Sequence, residues 1–228
     1  MSIELKKSMN LYYDERADEY DEIYTLGAGP ASITDPNAYK QDVIKVKKFI
    51  EKQNFKGVVF DVSCGTAFWM PSYYKNTKKI ILIDQSANML KEAKERADTL
   101  GCLPKCKFIK LDAFQINRIK LKASVFFIGF FLSHLTLKEE TQFFMLMKKK
   151  IEKNGKIVIV DSAWSDERAR TRNKEGRQIR KLNNGTTFDI YKKYFTVNDL
   201  EEIAKRESLH INIEYFGKAF FIAVLSLV

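Results

Sequence analysis

Short apolar runs and amphipathic segments alternate through the middle of the chain. The strand-like runs lie at residues 58–62, 79–84, 106–112, 123–131 and 155–162. Between them, residues 86–100 and 137–154 place apolar side chains on one face at helical spacing. This alternation predicts a parallel sheet with helices on both faces, connected by right-handed crossovers.

The last part of the chain departs from this rhythm. A helical pattern at 196–208 has Thr196 as its predicted N-cap, and two apolar runs follow it at 210–216 and 218–228. The join between these two runs is too short for a parallel crossover. We therefore expect an antiparallel hairpin at one edge of the sheet.

Two segments lie outside the alternation. Residues 1–38 hold a charged, tyrosine-rich helical pattern that leads into a Gly and Pro loop, with the turn sequence SITDPNAY after it. Residues 163–195 combine an arginine-rich stretch with Asn184-Gly185, a dipeptide typical of a hairpin turn. We predict one domain over 1–228, with an N-terminal helical cover at 1–38 and an inserted cover at 163–195 between the fifth and sixth strands.

Composition and charge narrow the possible partners. Apolar residues make up 45% of the chain, which excludes a disordered protein. Lys and Arg outnumber Asp and Glu by 39 to 29, and the formal charge of +10 indicates affinity for anions, which include nucleic acid, an acidic membrane surface and an anionic metabolite. The lysines are spread over several helices, however, so a solvated surface explains much of the excess.

The few cysteines and histidines do not predict a metal or disulfide site. Cys64, Cys102 and Cys106 form no even disulfide set, and with only His134 and His210 a zinc site is not expected. The opening MSIELKK lacks a signal-peptide core, and AFFIAVLSLV is too short to span a bilayer. We expect a cytoplasmic protein without a membrane partner.

Acidic residues follow three successive strand patterns. Asp61 precedes the small residues SCGTA, Asp84 ends the second strand 23 positions later, and Asp112 ends the third. Ligands of open parallel sheets bind outside the carboxyl ends of the strands, where an acid can accept hydrogen bonds from ribose hydroxyls. The small residues after Asp61 let the backbone approach an anionic group. A dinucleotide site is excluded, because Gly-x-Gly-x-x-Gly is absent from this loop.

The motifs FDVSCGTAFW, ILIDQSANMLKEAKERA, FIKLDAF, FFIGFFLSHL and GKIVIVDS resemble, in this order, the class I S-adenosylmethionine-dependent methyltransferases. The resemblance covers residues 38–228. It implies a Rossmann-like, mostly parallel α/β sheet of seven strands whose last strand is antiparallel. It also implies S-adenosyl-L-methionine as cofactor and methyl transfer to O, N or S of a small-molecule acceptor.

The resemblance also assigns residues to the cofactor. The amino acid end would lie against Asp61, Ser63 and Gly65, the ribose against Asp84, the adenine against Gln85, Met89, Asp112 and Ala113, and the sulfonium against Phe130. Met89 fits the buried stripe of its helix equally well, and Phe130 also fits a core position.

Further candidates lie on the acceptor side. His134, just after the fourth strand, is positioned to act as a general base, or else to cap the following helix or hydrogen-bond a loop carbonyl. Tyr13 and Tyr20 would wall the acceptor pocket, or pack an amphipathic helix on the body. Arg172 and neighbouring arginines of the inserted cover would clamp a carboxylate or phosphate, or remain solvated.

The sequence departs from the family at its glycine loop. Where the family has three alternating glycines, this chain has Ser63, Gly65 and Ala67. We expect φ below zero at Ala67 unless strain is accepted, with weakened cofactor binding. Two alternatives to a small-molecule enzyme therefore stay open: an RNA methyltransferase, which the charge would suit, and a non-catalytic cofactor-binding protein.

Overall fold

The computed structural model describes residues 1–25 and 35–228. The predicted loop at 26–30 and residues 32–34 of the following turn lie outside the described residues. The main-sheet strands are β1 Gly57–Val62, β2 Thr77–Asp84, β3 Cys106–Lys110, β4 Ala123–Gly129, β5 Ile151–Ser162, β8 Leu209–Phe216 and β9 Phe220–Leu227, and β6 Glu175–Lys181 and β7 Thr187–Lys193 form a separate hairpin.

The order of the seven-stranded sheet is β3-β2-β1-β4-β5-β9-β8. The first five strands run parallel, whereas β9 is antiparallel to β5 and to β8. The order reverses between β1 and β4, where ligands of open sheets bind. The predicted fold class, with its terminal antiparallel hairpin, is confirmed.

Helices cover both faces of the sheet. The helices are α1 Ile3–Glu15, α2 Glu22–Thr25, α3 Pro36–Lys52, α4 Ala87–Thr99, α5 Leu137–Lys150, α6 Asp166–Ala169 and α7 Val197–Glu207. Val46 of α3 and Ala93 of α4 belong to the core on one face, and Phe143 of α5 and Leu200 of α7 belong to the core on the other. Thr196 caps α7 as predicted. Within the described residues, the structure contains no helix long and apolar enough to cross a membrane.

The helix predicted at 137–154 is shorter than expected. It ends at Lys150, and β5 begins at once with Ile151 opposite Ala123. The next pairing joins Val125 to Lys156, so the intervening residues form an irregularity in the strand. Gly155 is needed there, because a Cβ would lie 2.5 Å from Cγ1 of Ile151. Close packing against β4 therefore overrides the helical pattern.

The N-terminal helix lies against the β6–β7 hairpin. Met9 and Tyr12 of α1 pack with Leu182 and Ile190 in a small separate core. The hairpin turn lies where Asn184-Gly185 predicted it, although the loop between the strands extends over 182–186. α1 therefore links the hairpin to the carboxyl edge of the main sheet.

Candidate functional site

Three alternate residues of the loop after β1 have positive φ, although only one of them is a glycine. Ser63, Gly65 and Ala67 have φ values of 54°, 53° and 55°. The expectation of φ below zero at Ala67 is therefore wrong. A left-handed conformation costs a non-glycine residue roughly 1–2 kcal/mol, which the surrounding contacts must offset. The loop therefore holds Ser63 and Ala67 in a backbone conformation that favours glycine.

Asp84 fixes this loop from the end of β2. Its carboxylate accepts hydrogen bonds from the backbone N–H groups of Gly65 and Ser86, both at 2.9 Å. Burial raises the pKa of Asp84, although the backbone N–H donors oppose that shift. An ionised carboxylate has about four lone-pair sites, so capacity remains for further donors. Asp84 and Gly65 thus lie together at the carboxyl ends of β1 and β2, where a ligand was expected to bind.

A cavity of about 530 Å³, termed here the outer cavity, opens beside Asp84. Six of the residues predicted to contact the cofactor line it, namely Ser63, Gly65, Asp84, Gln85, Met89 and Phe130. Its volume lies within the usual range for small-molecule sites, about 300–1,000 Å³. The outer cavity therefore has the size and the carboxylate that a nucleoside needs.

The other three predicted cofactor residues do not line the outer cavity. Asp61 is buried behind the loop, where the Tyr73 hydroxyl donates to it. Burial raises the pKa of Asp61 to about 8. The negative charge of nearby Asp84 adds to this shift, and the hydrogen bond from Tyr73 opposes it. Asp112 accepts from the N–H of Phe114 and pairs with Lys6 at 3.4 Å, and Ala113 is buried.

Helix α1 forms the roof of the outer cavity through polar contacts that sequence analysis did not find. Asp14 accepts from the Ser86 hydroxyl at 2.6 Å, and Asn10 donates to Gln85 at 3.5 Å. With the Lys6–Asp112 pair, these contacts join α1 to the ends of β2 and β3. They depend on side chains about 70 or more residues apart, so no local pattern indicates them.

His134 is held between two tyrosines. Its Nδ1 lies 2.7 Å from the Tyr191 carbonyl, and its Nε2 lies 2.6 Å from the Tyr13 hydroxyl. Because a carbonyl only accepts, Nδ1 carries the proton and Nε2 accepts from Tyr13. Burial, followed by the charge of Lys192, lowers the pKa of His134 to about 3. The imidazole is therefore neutral over the physiological range.

A second cavity of about 60 Å³, termed here the inner cavity, lies beyond Tyr13 and His134. The two cavities share Tyr13, Tyr20, Phe130 and His134 as lining residues. Four cationic side chains line the inner cavity, namely Arg16, Arg168, Arg180 and Lys192. Among the described residues, no carboxylate lines it.

Three of the four cations of the inner cavity, Arg16, Arg168 and Lys192, are buried, and Arg180 is half-buried. Arg16 lies 5.1 Å from the ring centre of Tyr20, and Arg168 lies 4.7 Å from that of Tyr194. Lys192 pairs with buried Asp161 at 3.5 Å. Burial alone would raise the pKa of Tyr194, yet the surrounding cations lower it. The electrostatic potential in this cavity is therefore positive.

Sequence analysis found only part of the inner cavity. Tyr13, Tyr20 and His134 line it as predicted residues of the acceptor side, but Arg172 lines neither cavity. Arg16, Tyr39 and Lys192 were missed, since each belongs to a different segment. Only the position of Arg16 could have been used: it lies one helical turn after Tyr12 and Tyr13, which indicates that the three side chains share a helix face.

Comparison with known proteins gives a domain match and a shared fold. Residues 59–155 match the family model described as a methyltransferase domain. The DhpI–SAM–HEP complex superposes with a TM-score of 0.79 at 20% identity, covering 99% of each chain. Magnesium protoporphyrin IX methyltransferase (ChlM) from Synechocystis PCC 6803 with bound SAM has a TM-score of 0.63 at 13% identity, covering 100% of this chain and 99% of that one.

An S-adenosylmethionine-dependent methyltransferase from Clostridium acetobutylicum ATCC 824 gives a TM-score of 0.63 at 15% identity, with 95% and 99% of the two chains covered. No curated protein sequence matches the chain significantly. At these identities the solved structures establish the fold, and the match over 59–155 identifies a methyltransferase domain in that part of the chain. The domain match and the shared fold support the class I methyltransferase family that the motifs predicted.

Proposed function

We propose that this protein transfers a methyl group from S-adenosyl-L-methionine to a small acceptor that carries an anionic group. The cofactor would occupy the outer cavity, and the anionic group would enter the inner cavity. The observation that carries this proposal is the pair of adjoining cavities, one beside Asp84 and the other lined by four cations.

The outer cavity suits the cofactor. Asp84 would offer its remaining lone pairs to the ribose hydroxyls, and Gln85 and Met89, which line the same cavity, would contact the adenine. Asp112, which pairs with Lys6, would act at the adenine through α1 rather than directly. When bound, the cofactor supplies an electrophilic methyl group on a sulfonium. Phe130 lines both cavities, and we assign it to that junction.

The inner cavity suits an anion. Arg16, Arg168, Arg180 and Lys192 supply donors for a carboxylate, phosphate or phosphonate. The hydroxyl of fully buried Tyr39, which also lines the cavity, has no hydrogen-bond partner among residues 1–25 and 35–228 and would serve as a further donor. These cations lie in a small chamber rather than across an exposed surface, which favours a small acceptor over RNA.

An anionic acceptor changes the role that we assign to His134. An anionic oxygen is already nucleophilic, so the displacement needs alignment rather than a base. A neutral imidazole with a pKa near 3 is a poor base in any case. We therefore propose that His134 is a positioning residue that holds the Tyr13 hydroxyl at the junction of the cavities.

Two measurements test this function. Calorimetry with S-adenosylhomocysteine should show binding of one molecule per chain. A panel of small carboxylates, phosphates and phosphonates, each with its uncharged amide or ester as control, should then release S-adenosylhomocysteine only for the anionic member. Turnover with RNA alone, or with the uncharged controls, would contradict the proposed acceptor class. Absence of S-adenosylhomocysteine binding would contradict the cofactor and favour a non-catalytic protein.

A further inference from the structure

Two buried polar atoms have no hydrogen-bond partner among the described residues: Oη of Tyr39 and Nε1 of Trp69. More than nine in ten buried polar groups in folded proteins are hydrogen-bonded, so each exception requires an explanation. Tyr39 lines the inner cavity and is explained there as a donor to the acceptor. Trp69 lines neither the inner nor the outer cavity.

Trp69 lines a third, small cavity of about 20 Å³ beneath the loop that follows β1. Asp61, Ser63 and Gly65 line the same space. Ser63 and Gly65 also line the outer cavity, so these two loop residues border both spaces. The unpartnered indole N–H thus belongs to a side chain close to where the amino acid end of the cofactor would lie.

The indole ring is fixed by its neighbours. It stacks on Phe130 with ring centres 6.1 Å apart and meets Tyr24 edge-on at 5.3 Å. A Cβ added to Gly129 would lie 3.6 Å from Cδ1 of Trp69, the ring carbon bonded to Nε1. The N–H edge of the ring therefore borders Gly129, which lines the small cavity too.

The small cavity combines a donor with an acceptor. The indole N–H only donates, so its partner must be an acceptor. Across the cavity, Tyr73 donates to Oδ2 of Asp61, and among the described residues nothing donates to Oδ1. An α-amino acid presents the complementary pair, a carboxylate that accepts and an ammonium that donates. A cation there would also offset the burial that raises the pKa of Asp61.

We propose that Trp69 donates a hydrogen bond from Nε1 to the carboxylate of the amino acid end of S-adenosylmethionine, opposite Asp61, which accepts from its ammonium. This inference rests on the proposed function, because it requires the cofactor in the outer cavity. Trp69 would thus make the protein bind cofactors with an intact amino acid more tightly than nucleosides that lack one.

The test compares two ligands by calorimetry. S-adenosylhomocysteine carries the amino acid end, and 5′-methylthioadenosine has the same nucleoside and thioether without it. Trp69→Phe keeps an aromatic ring and removes the N–H. We expect it to weaken S-adenosylhomocysteine binding roughly tenfold to a hundredfold, the effect of one hydrogen bond to a charged group, with methylthioadenosine affinity unchanged within about twofold.

The matched control is Trp164→Phe. Trp164 is half-buried, packs near Tyr194 and lines none of the three cavities, so this change should leave both affinities unchanged. Equal weakening of both ligands by Trp69→Phe would show that Trp69 only packs the loop. Equal affinity of wild type and variant for S-adenosylhomocysteine would also overturn the proposal.

A second measurement avoids substitution. In ¹H–¹⁵N spectra of the wild-type protein, the Trp69 indole resonance should move downfield with S-adenosylhomocysteine and stay in place with methylthioadenosine. An indole resonance that ignores S-adenosylhomocysteine, or responds equally to both ligands, would overturn the role of Trp69 alone. Failure of the wild-type protein to bind S-adenosylhomocysteine would overturn the proposed function with it.

Discussion

The two adjoining cavities are built from different parts of the chain and carry opposite chemistry. The outer cavity borders the ends of β1 and β2 and presents backbone groups with the carboxylate of Asp84. The inner cavity is lined by four cations and several tyrosine rings from distant segments. Under the proposed function, the sheet provides the part common to the fold, and the added segments would decide which acceptor binds.

The largest effect should come from Asp84→Asn. It removes the charge that anchors the Gly65 N–H and would bind the ribose, so we expect the Kd for S-adenosylhomocysteine to rise at least a hundredfold. Asp98→Asn, an exposed position on α4, is the matched control and should bind normally. An unchanged Kd in Asp84→Asn would show that Asp84 does not contribute to cofactor binding.

Arg180→Gln tests the inner cavity. Removing one cation should lower kcat/KM for an anionic acceptor by roughly tenfold to a hundredfold and leave the S-adenosylhomocysteine Kd unchanged, because Arg180 lines only the inner cavity. Arg177→Gln removes an exposed arginine of the same strand that pairs with Asp189, and should have no effect on turnover. Weakened cofactor binding in Arg180→Gln would contradict the proposal that the two cavities bind different ligands.

His134 should affect stability in a pH-dependent way. Its pKa is about 3 in the folded protein and about 6.5 in an unfolded chain, so the unfolded state binds more protons between these values. The contribution of neutral His134 to the free energy of unfolding is therefore complete above pH 6.5. It declines as the pH falls below that value, by up to about 1.4 kcal/mol per pH unit. Denaturant unfolding at pH 7 and 5 should show a smaller decline in His134→Gln than in wild type.

Turnover gives a separate check of the same residue. If His134 only positions Tyr13, the pH profile of kcat/KM with a carboxylate acceptor, which does not itself titrate in this range, should show no group titrating near pH 6 to 7. His134→Gln, which keeps a hydrogen-bonding side chain, should lose less activity than His134→Ala. A wild-type profile governed by a group near pH 6.5 that vanishes in both variants would restore the general-base role.

The smallest effect should come from Ser63→Gly. At φ 54° glycine avoids the strain of a side chain, so we expect the free energy of unfolding to rise by about 1 kcal/mol, or the Tm by about 2–4 °C. Ala67→Gly relieves the same strain but removes a buried methyl worth about 0.8 kcal/mol, so its net gain should be smaller. Loss of stability in Ser63→Gly would show that its hydroxyl, rather than loop geometry, matters.

The sequence by itself determined the fold and the position of the outer cavity. Alternating strand and helix patterns require parallel pairing, and parallel pairing brings the carboxyl ends of β1 and β2 together. Asp84 and Gly65 therefore lie close to each other wherever the rest of the chain goes. The family prediction succeeded for the same reason, since its motifs lie at these strand ends.

Only the tertiary structure decided the inner cavity and the conformation of the loop. Arg16, Tyr39 and Lys192 converge from three separate segments, and the Tyr13–His134 bond joins residues 121 positions apart. No periodicity encodes such contacts, because they depend on how α1 and the β6–β7 hairpin pack over the sheet. Ala67 has positive φ for a related reason: the packing around a buried residue outweighs the roughly 1–2 kcal/mol by which a single residue prefers another conformation.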